Sequence, residues 1–155
     1  MKSNKSVLNN NLPTLIDGGS HIDSRGTLNF VNDITFFDFK RFYIIENFQN
    51  NFVRAWHGHK NENKLLYCIS GTFKVGAIKI NNFNKPSKSA VPHEFILSSL
   101  VPKILFIPKG FANGLMNLEK KSKIMVFSDK SLLESQNDDY RFKFDFWDIW
   151  KIKFE

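Results

Sequence analysis

The sequence predicts an all-β protein, and three observations carry that expectation. Short apolar runs recur at regular spacing between clusters of Gly, Pro, Asn and Asp, the pattern of many short strands joined by turns. Seventeen phenylalanines give the interior an aromatic character suited to pleated surfaces. Only one stretch, "SLLESQNDDYRF" at residues 131 to 142, has spacing that fits a helix. A sandwich, a jelly roll or a small barrel satisfies this pattern.

The elements follow in order. Residues 1 to 20 begin with a polar dozen and read as a loose segment ahead of a single domain at 21 to 155. "GTLNFVND" (26 to 33) alternates apolar and polar residues. "KRFYIIENF" (40 to 48), "FVRAWHGH" (52 to 59), "KLLYCISG" (64 to 71) and "TFKVGAIKI" (72 to 80) are rich in β-branched and aromatic residues. "HEFILSS" (93 to 99), "KILFIPKG" (103 to 110) and "SKIMVFSD" (122 to 129) continue the series, and "IPKGFANGLMNLE" (107 to 119) reads as strand end, Pro-Gly turn, strand. "LEKKSK" (118 to 123) is a charged hairpin tip, and the aromatic "FDFWDIW" (144 to 150) is a tail that packs on the barrel or swaps between subunits.

Composition narrows the function classes. Twenty-two Lys and Arg against fifteen Asp and Glu give a net charge of +7, spread along the chain rather than clustered. No helix-turn-helix spacing or aromatic RNA-binding signature accompanies the charge, so a nucleic acid is not an expected partner. A phosphate-bearing metabolite needs only two or three of these cations. No apolar run approaches the roughly 20 residues that cross a bilayer, and the first residues lack a signal-peptide core, so the expectation is a cytoplasmic protein with no membrane partner. Cys68 is the single cysteine, which excludes an intrachain disulfide and a cysteine zinc cage; its apolar strand setting makes it a buried small hydrophobe.

The chemistry concentrates at "VRAWHGHKNENKLLYCISG", residues 53 to 71. His57 and His59 are one residue apart in a strand, so both imidazoles face one way. Metal ligands, an acid/base pair and two core histidines are all open readings of that pair. Lys64 follows at a spacing that brings a cation to the same pocket, which favours chemistry over packing. Trp56 faces the other way and belongs to the core or a dimer interface; His21 and His93 read as ordinary surface or edge residues.

Together with "IPKGFANGL", this segment resembles the two signature motifs of the cupin superfamily. His57, His59, Gly71, Pro108 and Gly110 match. Lys64 or Asn63 stands where the first motif has Glu, and Asn113 where the second has His. A cation and an amide are poor substitutes for metal ligands, so no metal is expected, although Glu62 or His93 completes a site in a shifted register. "HIDSRGTL", "VRAWHGHK", "NKLLYCISG" and "FIPKGFANGL", in that order, are similar to motifs of the dTDP-4-dehydrorhamnose 3,5-epimerase family over residues 21 to 150. The resemblance implies a double-stranded β-helix, or jelly roll, with a short C-terminal helix or tail. It also implies a homodimer, a nucleotide-diphosphate-linked 4-keto-6-deoxyhexose as substrate and no cofactor.

By position, the resemblance makes His57 the general base and Lys64 the cation beside the C4 oxygen. Arg25 and Arg54 would contact the diphosphate, Arg25 across a dimer, and Asn113 would line the substrate site. Asp145 is the candidate carboxylate partner of the histidine, and Arg25 beside Gly26 fits a turn residue equally well. Imidazole suits abstraction of a proton next to a ketone at neutral pH, and a fixed cation lowers the cost of the resulting enolate. The family's catalytic Tyr is missing: alignment on Asp129 puts Met125 there. The nucleotide-sugar 3,4-ketoisomerases resemble the chain at "KRFY", "HGHK" and "CISG" instead; there His57 and His59 shuttle the proton and Tyr43 assists. The sequence therefore reads as a sugar-nucleotide isomerase of surface polysaccharide synthesis, with the epimerase-like branch placed first. The ketoisomerase and a non-catalytic sugar-nucleotide-binding cupin are the alternatives.

Overall fold

The computed structural model describes residues 9 to 151. Twelve strands and one short helix run in the order β1 (Thr14–Asp17), β2 (Gly19–Asp23), β3 (Gly26–Phe30), β4 (Arg41–Asn47), β5 (Val53–His59), β6 (Lys64–Ser70), β7 (Thr72–Lys79), β8 (His93–Ser98), β9 (Lys103–Ile107), β10 (Phe111–Asn117), β11 (Ser122–Ser128), α1 (Leu132–Gln136) and β12 (Tyr140–Arg141). One five-stranded sheet has the order β1-β9-β6-β11-β4, the other β12-β5-β10-β7-β8, and β2-β3 form a separate hairpin. All pairings are antiparallel. This is the jelly roll expected from the motifs.

The inner faces of the two sheets make the principal core. Leu66, Leu105, Ile124 and Val126 from the first sheet meet Phe73, Val75, Leu97 and Leu115 from the second, all buried. Period-two alternation puts these residues inward and their neighbours outward. The outer face of the second sheet is also covered. Trp56 is fully buried there against Trp147 and Trp150, with ring centroids 5.6 and 5.0 Å away. Trp56 and Trp150 both donate their indole N–H to the Phe144 carbonyl, so the aromatic tail is fixed on its own barrel. Cys68 is buried, and its thiol is pushed up to about 11 chiefly by desolvation, which makes it inert packing.

Two expectations need correction. Residues 14 to 23, partly assigned to a loose N-terminal segment, form β1 and β2; residues 1 to 8 of that segment lie outside the described residues. Within β1 only Ile16 is buried, so a four-residue run carries too little apolar signal to be read. Its order comes from pairing with β9, Thr14 opposite Phe106 through Asp17 opposite Lys103. The helix expected over 131 to 142 stops at Gln136. Ser131 and Glu134 form a reciprocal capping box that starts it, and Asn137 caps its end. Asp138 then accepts from the Lys60 and Asn61 amides at 2.9 and 2.8 Å, and β12 pairs with β5. Tertiary hydrogen bonds override the helical spacing.

Candidate active site

A cavity of about 520 Å³ opens between the sheets, a size ordinary for small-molecule sites. Its polar lining includes Tyr43, Arg54, His57, His59, Lys64 and Asn113. Six of the eight residues singled out in the sequence thus converge. The strand register explains how. β5 alternates His57 and His59 toward the cavity and Trp56 and Gly58 away from it; β10 sets Asn113 opposite His57; β6 begins at Lys64. On β4, Tyr43 lies opposite Val126 of β11.

The other two candidates fall elsewhere. Asp145 is exposed in the tail and does not line the cavity. The carboxylate near His57 is Asp139, with Oδ1 3.9 Å from Nδ1. The tail turns away at Phe142 to cover Trp56, whereas β12 runs along β5 and sets Arg141 opposite His57. Arg25 occupies the β2–β3 turn, where its guanidinium pairs with Asp23 at 2.6 Å and points to solvent. It takes no part in the cavity of its own chain. Met125, aligned with the missing tyrosine, lies on the outer face of the first sheet beside Tyr67 and Phe127. Its neighbour Val126 faces the cavity, and the phenol there belongs to Tyr43 on the adjacent strand.

Residues that the motifs did not pick out complete the lining: Ser135 and Gln136 from α1, and Asp139 and Arg141 around β12. For Asp139 and Arg141 the cluster "NDDYRF" held the only signal, a mixed-charge run at the end of an apparent helix; Ser135 and Gln136 had none beyond that helical spacing. Glu62, considered only as a ligand in a shifted register, is fully buried with its Oε2 2.9 Å from His59 Nδ1. Asn63 is structural. Its side chain and backbone bind Asp129, and its Oδ1 accepts from the Lys109 amide in the Pro-Gly turn.

The electrostatics are distinctive. Burial lowers His57 to about 4, helped by the nearby Arg141 and Lys64 charges, so the ring is neutral at physiological pH. Lys64 is also depressed, mainly by desolvation, with Glu62 opposing. Burial pushes Tyr43 up to about 12, reinforced by the Glu62 charge, which makes it a proton donor. Burial raises Glu62, but the close His59 ring, the Lys64 charge and the Ser128 hydroxyl hold it down to about 2. Arg54 donates to Asn47 at 2.7 Å, which fixes its guanidinium at the cavity wall. Among the described residues no three metal-ligating side chains converge.

The family model described as FdtA, WxcM-like, C-terminal, matches residues 11 to 149. The chain belongs to this family. No curated protein matches it. Among solved structures, this FdtA-like chain is similar to a 3,4-ketoisomerase from Helicobacter canadensis, at 23% identity and a TM-score of 0.65, covering 86% of this chain and 93% of that one. It is similar to a mutant of the 3,4-ketoisomerase QdtA from Thermoanaerobacterium thermosaccharolyticum in complex with TDP-4-keto-6-deoxyglucose, at 21% and 0.67, covering 88% and 91%. It is also similar to the rmlC epimerase of Mycobacterium tuberculosis, at 16% and 0.71, covering 88% and 72%. These likenesses establish the jelly-roll fold.

Proposed function

We propose that the protein is a sugar-nucleotide isomerase that moves a proton next to the ketone of a nucleotide-diphosphate-linked 4-keto-6-deoxyhexose. The observation that carries this reading is the pair His57 and His59, aimed from one strand into a cavity that also holds Lys64, Tyr43 and Arg54. The FdtA-like family and the substrate bound in the similar ketoisomerase point to the same class.

Within that class the side chains favour the 3,4-ketoisomerase over the 3,5-epimerase. β11 contributes no tyrosine to the cavity, and two histidines on one strand suit removal of a proton at one carbon and its return at the next. His57, neutral and partly open, takes the proton from C3. The electron pair moves onto the C4 oxygen, where the Lys64 ammonium stabilises the enediolate. The hydroxyl proton passes from O3 to O4, assisted by Tyr43, and the histidine pair returns the abstracted proton at C4, which leaves a ketone at C3. Atoms balance without an added reactant. Arg54 and Arg141 offer the diphosphate two guanidiniums. Surface polysaccharide synthesis and the cytoplasm are the setting that such a substrate implies.

A homodimer is part of the proposal. Phe42, Ile44 and Leu28, on β4 and the β2–β3 hairpin, are 60%, 50% and 60% exposed. Exposed apolar side chains of this kind fit a second copy, and such a dimer would let Arg25 serve a neighbour's cavity. The reading is tested by incubating the protein with TDP-4-keto-6-deoxyglucose and resolving the product by NMR. A 3-keto sugar is expected. A 4-keto sugar epimerised at C3 and C5 would move the assignment to the epimerase, and an unchanged substrate would leave a binding protein.

A further inference from the structure

The mechanism above leaves one buried charge unused. The Glu62 side chain is fully excluded from solvent, yet it carries a carboxylate. An ionised carboxylate is placed there only when partners surround it. Four do. The Ser128 hydroxyl at the end of β11 donates to Oε1 at 2.6 Å, and the Ser135 hydroxyl on α1 donates to Oε2 at 2.8 Å. The Arg41 guanidinium lies 3.6 Å from Oε1, with its own Nε donating to the Lys130 carbonyl. The fourth is His59, whose Nδ1 sits 2.9 Å from Oε2.

The His59 end of this arrangement is the informative one. Its Nδ1 is buried and makes no well-aligned hydrogen bond among the described residues. The contact with Glu62 is short but not collinear with the ring N–H, so a small ring rotation converts it into a charge-assisted bond. Among the described residues no other acceptor bonds that nitrogen. Glu62 itself cannot follow the ring, because two serines from two different elements hold both its oxygens.

We infer that Glu62 is a positioning residue for His59, fixing the ring proton on Nδ1 so that the unprotonated Nε2 faces the cavity as the atom that accepts a proton. The inference rests on the proposed isomerase reading for its use, although not for its geometry. It gives the two histidines different jobs. His57 has only the partly exposed Asp139 at 3.9 Å and can adapt to substrate. His59 is clamped, and the negative charge beside it stabilises the imidazolium that forms when the ring takes a proton. The clamp also couples the histidine to α1, because Ser135 both binds Glu62 and lines the cavity. Anything that shifts α1 on substrate entry is felt at the His59 ring.

The test has one readout that needs no turnover. Nitrogen-15 NMR of the histidine rings in the full chain, at a pH where His59 is neutral, reports which nitrogen carries the proton. Protonation on Nδ1 is expected. An Nε2-protonated ring in the native protein overturns the inference, whatever the enzyme does. In Glu62→Gln the amide offers His59 either a carbonyl or an N–H, so a mixture of tautomers is expected. With the ketosugar, kcat is expected to drop by about 10²- to 10⁴-fold with KM little changed. Glu62→Asp, which keeps the charge but withdraws it, should recover part of that loss and part of the Nδ1 tautomer. A native-like His59 spectrum in Glu62→Gln, or an unchanged kcat in a native-like fold, overturns the positioning role. Should the native chain turn over no ketosugar, the isomerase reading falls, and the ring spectra alone then decide the Glu62–His59 coupling.

Discussion

His57 shows how burial sets chemistry at a single side chain. Desolvation, with Arg141 and Lys64 adding to it, takes its value from 6.5 to about 4, so the basic form persists well into acid. The acid limb of kcat/KM should therefore fall near pH 4 rather than near 6.5, as a pH–rate profile will show. Stability follows the same shift. Between pH 6.5 and about 4 the unfolded chain binds this proton and the folded chain does not. The His57 contribution is complete above pH 6.5 and is lost as pH falls through about 4, which thermal melts across that window will detect. The residue scale is also where sequence reading was strongest. Six of the eight candidate residues line one cavity: strand alternation puts His57 and His59 on one face, and an irregularity in the β5–β10 register brings Arg54 to the same side. It failed at Asp145, where the true neighbour Asp139 is brought in by a strand of only two residues. A two-residue strand has no period to read.

At the level of the element, short connections hold the site in register. The β6–β7 hairpin turns at Gly71, whose φ is +74°, a conformation that favours glycine. A Cβ there would sit 2.1 Å from the Ser122 hydroxyl oxygen, and that hydroxyl donates to the Glu119 carbonyl. Gly71→Ala is expected to cost at least about 1–2 kcal/mol in backbone strain alone, measured by denaturant unfolding, with more from the displaced serine. Because β6 carries Lys64 at its other end, a slip of this hairpin would also move the cation. The turn glycine was legible as part of a motif. The helix end was not: α1 stops because Asp138 is recruited by the Lys60 and Asn61 amides, a contact 77 to 78 residues away in sequence. Local propensity holds no record of such a partner.

Across the whole molecule, each sheet has an outer face with a different fate. The second sheet is closed by Trp147 and Trp150 from the tail. The first is covered only in part, by Val31, Ile34 and Phe39, while Phe42 and Ile44 remain exposed. The same β4 strand sends Tyr43 inward and these two residues outward. A second copy on that face is expected to give a dimer by light scattering, and Phe42→Lys with Ile44→Lys is expected to give a monomer. A monomeric native protein would contradict the dimer. The sequence marks β4 as rich in β-branched and aromatic residues, but not what would cover its outer side.

In the proposed reaction this cavity moves a carbon-bound proton beside a ketone. The most direct measurement is solvent deuterium incorporation, followed by NMR in deuterium oxide with TDP-4-keto-6-deoxyglucose. Deuterium is predicted at C4 of the 3-keto product and, by reversal, at C3 of the recovered 4-keto substrate, with none at C5 and no incorporation with His57→Asn. A native protein that binds the sugar nucleotide yet leaves every carbon-bound proton in place would contradict it.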